Sequence, residues 1–484
     1  MKKMLSLFFS AVMFTSLIPA TAFAEASDQA QITESSLAVQ SGSEIIDSGT
    51  WGTCPWELTS DGTLTVHPGE GEGNFSTQLK SPWFRHTSRI ERVIFTDVGL
   101  DKVIAPYHCD YLFANMSRLK TVDFSGLDAS EGVDAYGMFT DCPLLKSIRW
   151  PAPGYLKIKN TGRRYSNRID EYVNGGGHEA GMFEGCSSLV EVDWNAVDLS
   201  EMYFAGGMFA GCTSLEKVVF PEDKSPTGLM SASSMFENCS TLDSLDLSSF
   251  TVDRYPIVCS MFKGCSALKS VKLPSFLTGG PWQGTGVGPN SYVDHMFDGC
   301  TSLTEVDTSK LAVERVRDTD GMFRGCSSLV SIDLSSMGAV SQSRKYMFEG
   351  CTSLEHLKLC RMCPVPPNDG INMFYSIFEG CDNLTQIDGP CGFLTYTPTG
   401  YDCHHLSSTG LKRNAWVSAT TGKRYTLGGI LGTDAKDDEG TEFIAVPDDI
   451  SAFNIKAATY HNYTYDGTAK NPGVFSYWLL YLAL

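Results

Sequence analysis

Apolar positions recur along most of this chain in one short fixed pattern, neither helical nor simply alternating. The stretch Gly181–Trp194, GMFEGCSSLVEVDW, returns at 207–220 as GMFAGCTSLEKVVF and at 321–334 as GMFRGCSSLVSIDL. A phenylalanine anchors each copy: Phe113, Phe139, Phe183, Phe209, Phe236, Phe262, Phe297, Phe323, Phe348 and Phe378, at spacings of 26, 44, 26, 27, 26, 35, 26, 25 and 30. A base period of 26 with enlarged intervals is that of a stacked array with insertions. Six residues after each Phe a leucine opens the pattern L-x-x-[VIL]-x-apolar, as in Leu215/Val218/Phe220 and Leu329/Ile332/Leu334. Its last two apolar positions alternate around an outward residue, which predicts a short strand. Stacked coils place such strands side by side, about 4.8 Å apart, in a parallel sheet.

The columns between these anchors are equally regular. Two residues after each Phe only Gly, Asn or Asp occurs, from Asn115 and Asp141 through Gly185, Gly211, Asn238, Gly264, Gly299, Gly325 and Gly350 to Gly380. These residues tolerate a left-handed backbone, so the column predicts a short helical turn closed by positive φ. Three residues after Phe stands a cysteine: Cys142, Cys186, Cys212, Cys239, Cys265, Cys300, Cys326, Cys351 and Cys381, with Met116 in the first copy. Cysteine is small and often fully buried, which makes buried free thiols the expectation. Rung spacing also permits bridging between neighbours, and metal binding or catalysis is the third possibility. One coil cannot bury its six inward residues alone; its neighbours must cover them.

The text M-F-x-G-C-[ST]-S-L-x-x-[VI]-D-L resembles the leucine-rich repeats of the BspA-like bacterial surface protein family, over about residues 105–390. The resemblance implies an α/β leucine-rich-repeat solenoid: a curved parallel sheet with short helical turns, about ten coils of about 26 residues, and small β-rich caps at both ends. It also implies an exported surface protein linked to adhesion or host contact.

The ends fit that setting. Lys2, Lys3, an apolar run and Ala22-Phe23-Ala24 read as a secretory leader cleaved near Ala24, so residues 1–24 are a signal peptide. Residues 25–47 are polar and Ser-rich and read as a linker. Residues 48–110 form an N-terminal capping region, with a hairpin turning at Asp61-Gly62. The solenoid then spans 111–395 and a C-terminal cap 396–447, where WVSATTGKRYTL reads as two strands around Thr421-Gly422. Residues 448–484 resemble the incomplete start of an immunoglobulin-like surface module and are expected to be disordered. A net charge of -19 opposes nucleic acid and anionic membranes, and no mature segment is long enough to span a bilayer.

Candidate chemistry lies where the repeat is broken or faces out. The outward strand column is rich in acid, with Asp193, Asp246 and Asp333 as candidate partner contacts. The 44-residue interval holds the basic stretch GYLKIKNTGRRYSNR, with Tyr155, Arg163, Arg164 and Tyr165; the 35-residue interval holds Trp282 among glycines. Insertions in arrays map to loops that often bind. Cys360, Cys363, Cys391 and Cys403 near the last coils read first as holding a local disulfide, with a zinc site and free thiols as the alternatives. No nucleophile elbow, zincin helix or phosphate loop is present, so neither enzyme activity nor a cofactor is expected. The expectation is a binding scaffold for an extracellular protein or glycan. A zinc-dependent factor or enzyme using the Cys-rich end, and a passive spacer, are the alternatives.

Overall fold

The computed structural model describes residues 43–73, 81–162, 180–276, 291–311, 315–337, 339–340, 344–359, 376–388, 415–425 and 442–445. The stretch 1–24 read as a leader, Arg163, Arg164, Tyr165, Trp282, Cys360, Cys363, Cys391, Cys403 and residues 448–484 lie outside them.

The repeat strands form the expected parallel ladder. Thr63–Val66, Arg92–Phe95, Thr121–Asp123 and Ser147–Arg149 pair in succession. Glu191–Asp193 pairs with Lys217–Val219, and Ser244–Asp246 with Ser270–Lys272. Ser331–Asp333, His356–Lys358 and Gln386–Asp388 follow in order. The middle residue of a rung, such as Val192, Leu245 or Ile332, is buried while its neighbours face out.

The expected helical turns are not α-helical. Among the described residues the helical pieces are two 3₁₀ segments, Phe84–His86 and Thr308–Leu311. Each coil instead bends through linked i→i+3 turns: Glu184 N–H donates to Gly181 O (3.1 Å), Cys186 N–H to Phe183 O (3.0 Å) and Leu189 N–H to Cys186 O (3.1 Å). The reason lies in two left-handed columns where one was expected. The Gly/Asn/Asp column has φ of 56–82° in all ten copies. Two residues before Phe, a second column from Tyr111 and Gly137 to Ser376 has φ of 50–69° in nine copies. Left-handed residues on both sides of Met-Phe-x stop a helix from propagating.

The segments returning from the repeat strands build a second parallel ladder that the repeat text did not reveal. Gly69–Glu70, Val103–Ile104, Leu127–Asp134 and Leu156–Asn160 pair in order. Bridges from Asn160 to Phe204 and from Phe204 to Ser231 lead to Leu229–Ser231. Thr251–Ile257, Ser291–Tyr292, Arg315–Asp318 and Ala339–Val340 continue the series.

The core lies between the ladders, with the anchoring Phe rings stacked along it. Successive rings from Phe113 to Phe378 lie 5.3–5.9 Å apart, with planes within 15° of parallel. The 44- and 35-residue intervals leave this stack intact: Phe139–Phe183 is 5.5 Å and Phe262–Phe297 is 5.3 Å. Trp83 stacks on Phe113 at 5.5 Å, so the stack begins one coil upstream of the first Phe. Before it, Ile45–Trp51, Cys54–Thr59 and Thr63–Val66 form an antiparallel meander, whose second turn is at Asp61-Gly62. Its first strand takes in the last three residues of the stretch read as linker. At the other end, Glu442–Ala445 pairs antiparallel with the last repeat strand, and Trp416–Ser418 and Arg424–Tyr425 complete the sheet.

Candidate functional site on the outer faces of the two ladders

The cysteine column is the first place to look for chemistry, and it is occupied by structure. Each of the nine thiols donates to the carbonyl oxygen of the anchoring Phe one coil earlier, at 3.0–3.2 Å. From Phe183 to Phe348 the same carbonyl also accepts its own coil's cysteine N–H, as Phe183 O does from Cys186, so the thiol of Cys212 fills its second acceptor site. All nine are buried free thiols. Burial pushes the Cys142 and Cys265 thiols up to about 12, which keeps them protonated and unreactive. Cysteine is favoured here because it is both small enough to be buried and able to donate.

The repeat-strand face carries the acidic candidates. Asp193, Asp246 and Asp333 are exposed, and each accepts the backbone N–H two residues on, from Asn195, Ser248 and Ser335, at 2.8–2.9 Å. Asp123 and Asp307 do the same with Ser125 and Ser309. These Asx turns end the strand and begin the return, which explains an Asp at this place in coil after coil. The signal was present in the text as D-x-[SN]. The carboxylates also pair across rungs: Asp123 with Arg149 (3.3 Å), Asp246 with Lys272 (2.6 Å) and Asp333 with Lys358 (2.9 Å). Glu191–Lys217 (2.5 Å) and Asp243–Lys269 (3.4 Å) lie at the opposite end of the strands. Burial acts to raise the Asp246 carboxyl, but the Lys272 ammonium and the Ser248 hydroxyl and N–H together hold it down at about 2. Asp193 faces Val219 across the rung.

The outer face of the returning ladder is different. Three exposed tyrosines lie here: Tyr107 (49%), Tyr155 (38%) and Tyr203 (46%). Ile104 and Met230 are exposed beside them. Leu156, Ile158 and Asn160 point inward, so alternation puts Tyr155, Lys157 and Lys159 on the outer side of one rung. Lys159 Nζ sits 5.5 Å from the Tyr107 ring centre and Lys102 Nζ 4.7 Å from that of Tyr155. Lys157 (2.8 Å) and Lys159 (3.6 Å) both pair with Glu201 on the next rung, and Lys102 pairs with Asp97 (3.6 Å). Asp198 and Glu131 also act on Lys157, so the start of the basic stretch is met by the protein's own acids. Of the tyrosines of this face only Tyr155 was singled out from sequence; Tyr107 and Tyr203 sit in returning segments that share no repeat text.

Among the described residues no group of three or more His, Cys, Asp or Glu side chains is placed to hold a metal ion. No described helix is long and apolar enough to cross a membrane.

The BspA type leucine rich repeat region, in six copies, matches residues 178–279 and 290–398. No curated protein matches the chain. Among solved structures it is similar to a leucine-rich repeat protein from Eubacterium ventriosum (15% identity, 74% of this chain and 98% of the other, TM-score 0.29). Another from Bacteroides ovatus shows 19% identity over 72% of this chain and 94% of its own, with a TM-score of 0.25. A leucine rich cell surface protein from Faecalibacterium prausnitzii shows 14% identity over 76% and 98%, with a TM-score of 0.26. At these scores the superpositions add nothing to the repeat assignment.

Proposed function

Since the chain is a leucine-rich-repeat protein of the BspA type, we propose that it works outside the bacterial cell as a binding scaffold for an extracellular protein or glycan. In this reading the leader is cleaved near Ala24, residues 48–110 and 396–447 cap the solenoid of 111–395, and the protein is secreted or held at the surface. Its role is adhesion to a host or neighbouring cell, not catalysis.

The observation that carries this reading is the contrast in exposure between the two ladders. Asp246 and Asp333 on the repeat strands have cation partners within the ladder. The returning ladder presents three exposed tyrosines, Ile104 and Met230 together on one face. Exposed aromatic side chains gathered on a rigid sheet supply large amphipathic contact area at low entropic cost. Tyr155 with Tyr107 and Tyr203 forms the centre of the proposed contact. Asp193, the Asp246 and Asp333 pairs, Arg163, Arg164, Tyr165 and Trp282 are the candidates if the contact lies off this face.

Retention of the full chain on immobilised extracellular proteins and polysaccharides tests this. The doubly substituted Tyr155→Ala/Tyr203→Ala chain is expected to lose retention while unfolding at the same temperature. Equal retention of both chains would place the contact elsewhere. Absence of retention on every surface would favour the passive spacer.

A further inference from the structure

We infer that the outer face of the returning ladder takes an extended, uncharged polysaccharide laid across its rungs. This rests on the scaffold reading and names the partner for that face.

The exposed residues form a row that crosses the ladder. Tyr203 N–H donates to Lys159 O (3.2 Å) and Met230 N–H to Tyr203 O (2.8 Å), which places these three on consecutive rungs. On the other side, Asp134 N–H donates to Tyr107 O (2.8 Å), and Asp134 pairs with Asn160. Tyr107, the 127–134 rung, Lys159, Tyr203 and Met230 are thus in order across five rungs. The second rung contributes Gly132 to the row. A Cβ there would run into Lys159 Cε, so glycine lets the lysine stem lie flat across the rung and reach Tyr107.

Rungs repeat at about 4.8 Å, a length close to one sugar unit of an extended polysaccharide. Successive sugars therefore fall on successive rungs. The C–H face of a sugar stacks on a tyrosine ring, and its hydroxyls meet the Tyr107 and Tyr203 hydroxyls and the Lys157–Glu201–Lys159 group. Charge selects the class of polymer. The three lysines of the face stand among four acids, Asp97 and Glu201 as pairs and Asp198 and Glu131 close to Lys157, in a chain of net charge -19, so an anionic chain gains nothing here and a neutral one loses nothing. A protein partner would need a contiguous apolar centre, whereas here ion pairs stand between the rings.

The test is affinity electrophoresis of the full chain in gels containing soluble mixed-linkage β-glucan, dextran or heparin. The expected result is retardation by an uncharged glucan that salt does not abolish. Tyr203→Ala lowers the affinity about tenfold, as loss of one stacking platform should. Tyr203→Phe, which keeps the ring and loses only the hydroxyl, lowers it less, and Asp243→Ala on the other ladder leaves it unchanged. Migration unaffected by either glucan, retardation by heparin alone, or a Tyr203→Ala chain that binds like wild type would overturn the inference. Should the wild-type chain ignore both glucans yet be held by an immobilised extracellular protein, the polysaccharide is wrong and the scaffold reading stands. If it is held by neither, both fall.

Discussion

The two ladders are cut from the same coils, yet they end differently at solvent. On the repeat strands, Asp123, Asp246 and Asp333 have both a backbone N–H and a cation on the adjacent coil. On the returning ladder, Tyr107, Tyr155 and Tyr203 stand out from the surface. The difference follows from repetition. A residue repeated every coil meets its own kind above and below, so a column survives only if it satisfies itself, as the D-x-[SN] turns and the Cys-to-Phe bonds do. The returning segments share no text, so individual features can accumulate there.

The comparison breaks first at the core that supports both ladders. Phe209→Ala or Phe323→Ala removes a ring from the middle of the stack and is expected to cost about 3–5 kcal/mol in denaturant unfolding. An unchanged midpoint would show that the stack does not hold the coils together. Next in size is the thiol column. Cys239→Ala removes the donor to Phe209 O and leaves a small void, at about 1–2 kcal/mol. The column thiols should also resist alkylation at pH 8 in the folded chain and react together on unfolding, since burial holds them protonated.

The repeat-strand face offers a smaller effect. Asp246 sits at about 2 in the folded chain against an ordinary 3.8, so its contribution is complete above about pH 4 and lost as the pH falls through 2. The pair is exposed to solvent, so Lys272→Ala should remove no more than about 1 kcal/mol at pH 7 and flatten part of the acid limb. Smallest of all for stability is Tyr203→Ala, within about 0.5 kcal/mol of wild type. A larger loss would mean that the exposed ring is part of the fold, and the contrast between the faces would blur.

Much of this architecture was legible from the Phe spacing. The period, the parallel strands, the left-handed Gly/Asn/Asp column and the two terminal hairpins all followed from residue type and register. What escaped has physical reasons. The first stacked coil carries Trp83 where the others carry Phe and has no cysteine, so text matching begins a coil late. The second left-handed column holds Tyr111, Ser234, Ser260, His295, Tyr346 and Ser376 as well as glycine, residue types that do not announce positive φ. Tyr111 illustrates why it persists: its ring fills the space above Gly137, and its hydroxyl accepts Ala180 N–H (3.1 Å). The tyrosine face was hidden because rung-to-rung neighbours on the returning ladder are fixed by hydrogen bonds between segments of unlike sequence.

The division between the two faces is tested most directly by hydroxyl-radical footprinting of the full chain, free and bound to whichever surface retains it. The account predicts protection of Tyr107, Tyr155, Tyr203 and Met230, with the strands Glu191–Asp193, Ser244–Asp246 and Ser331–Asp333 labelled equally in both states. Protection of those strands with the tyrosines unchanged would contradict it.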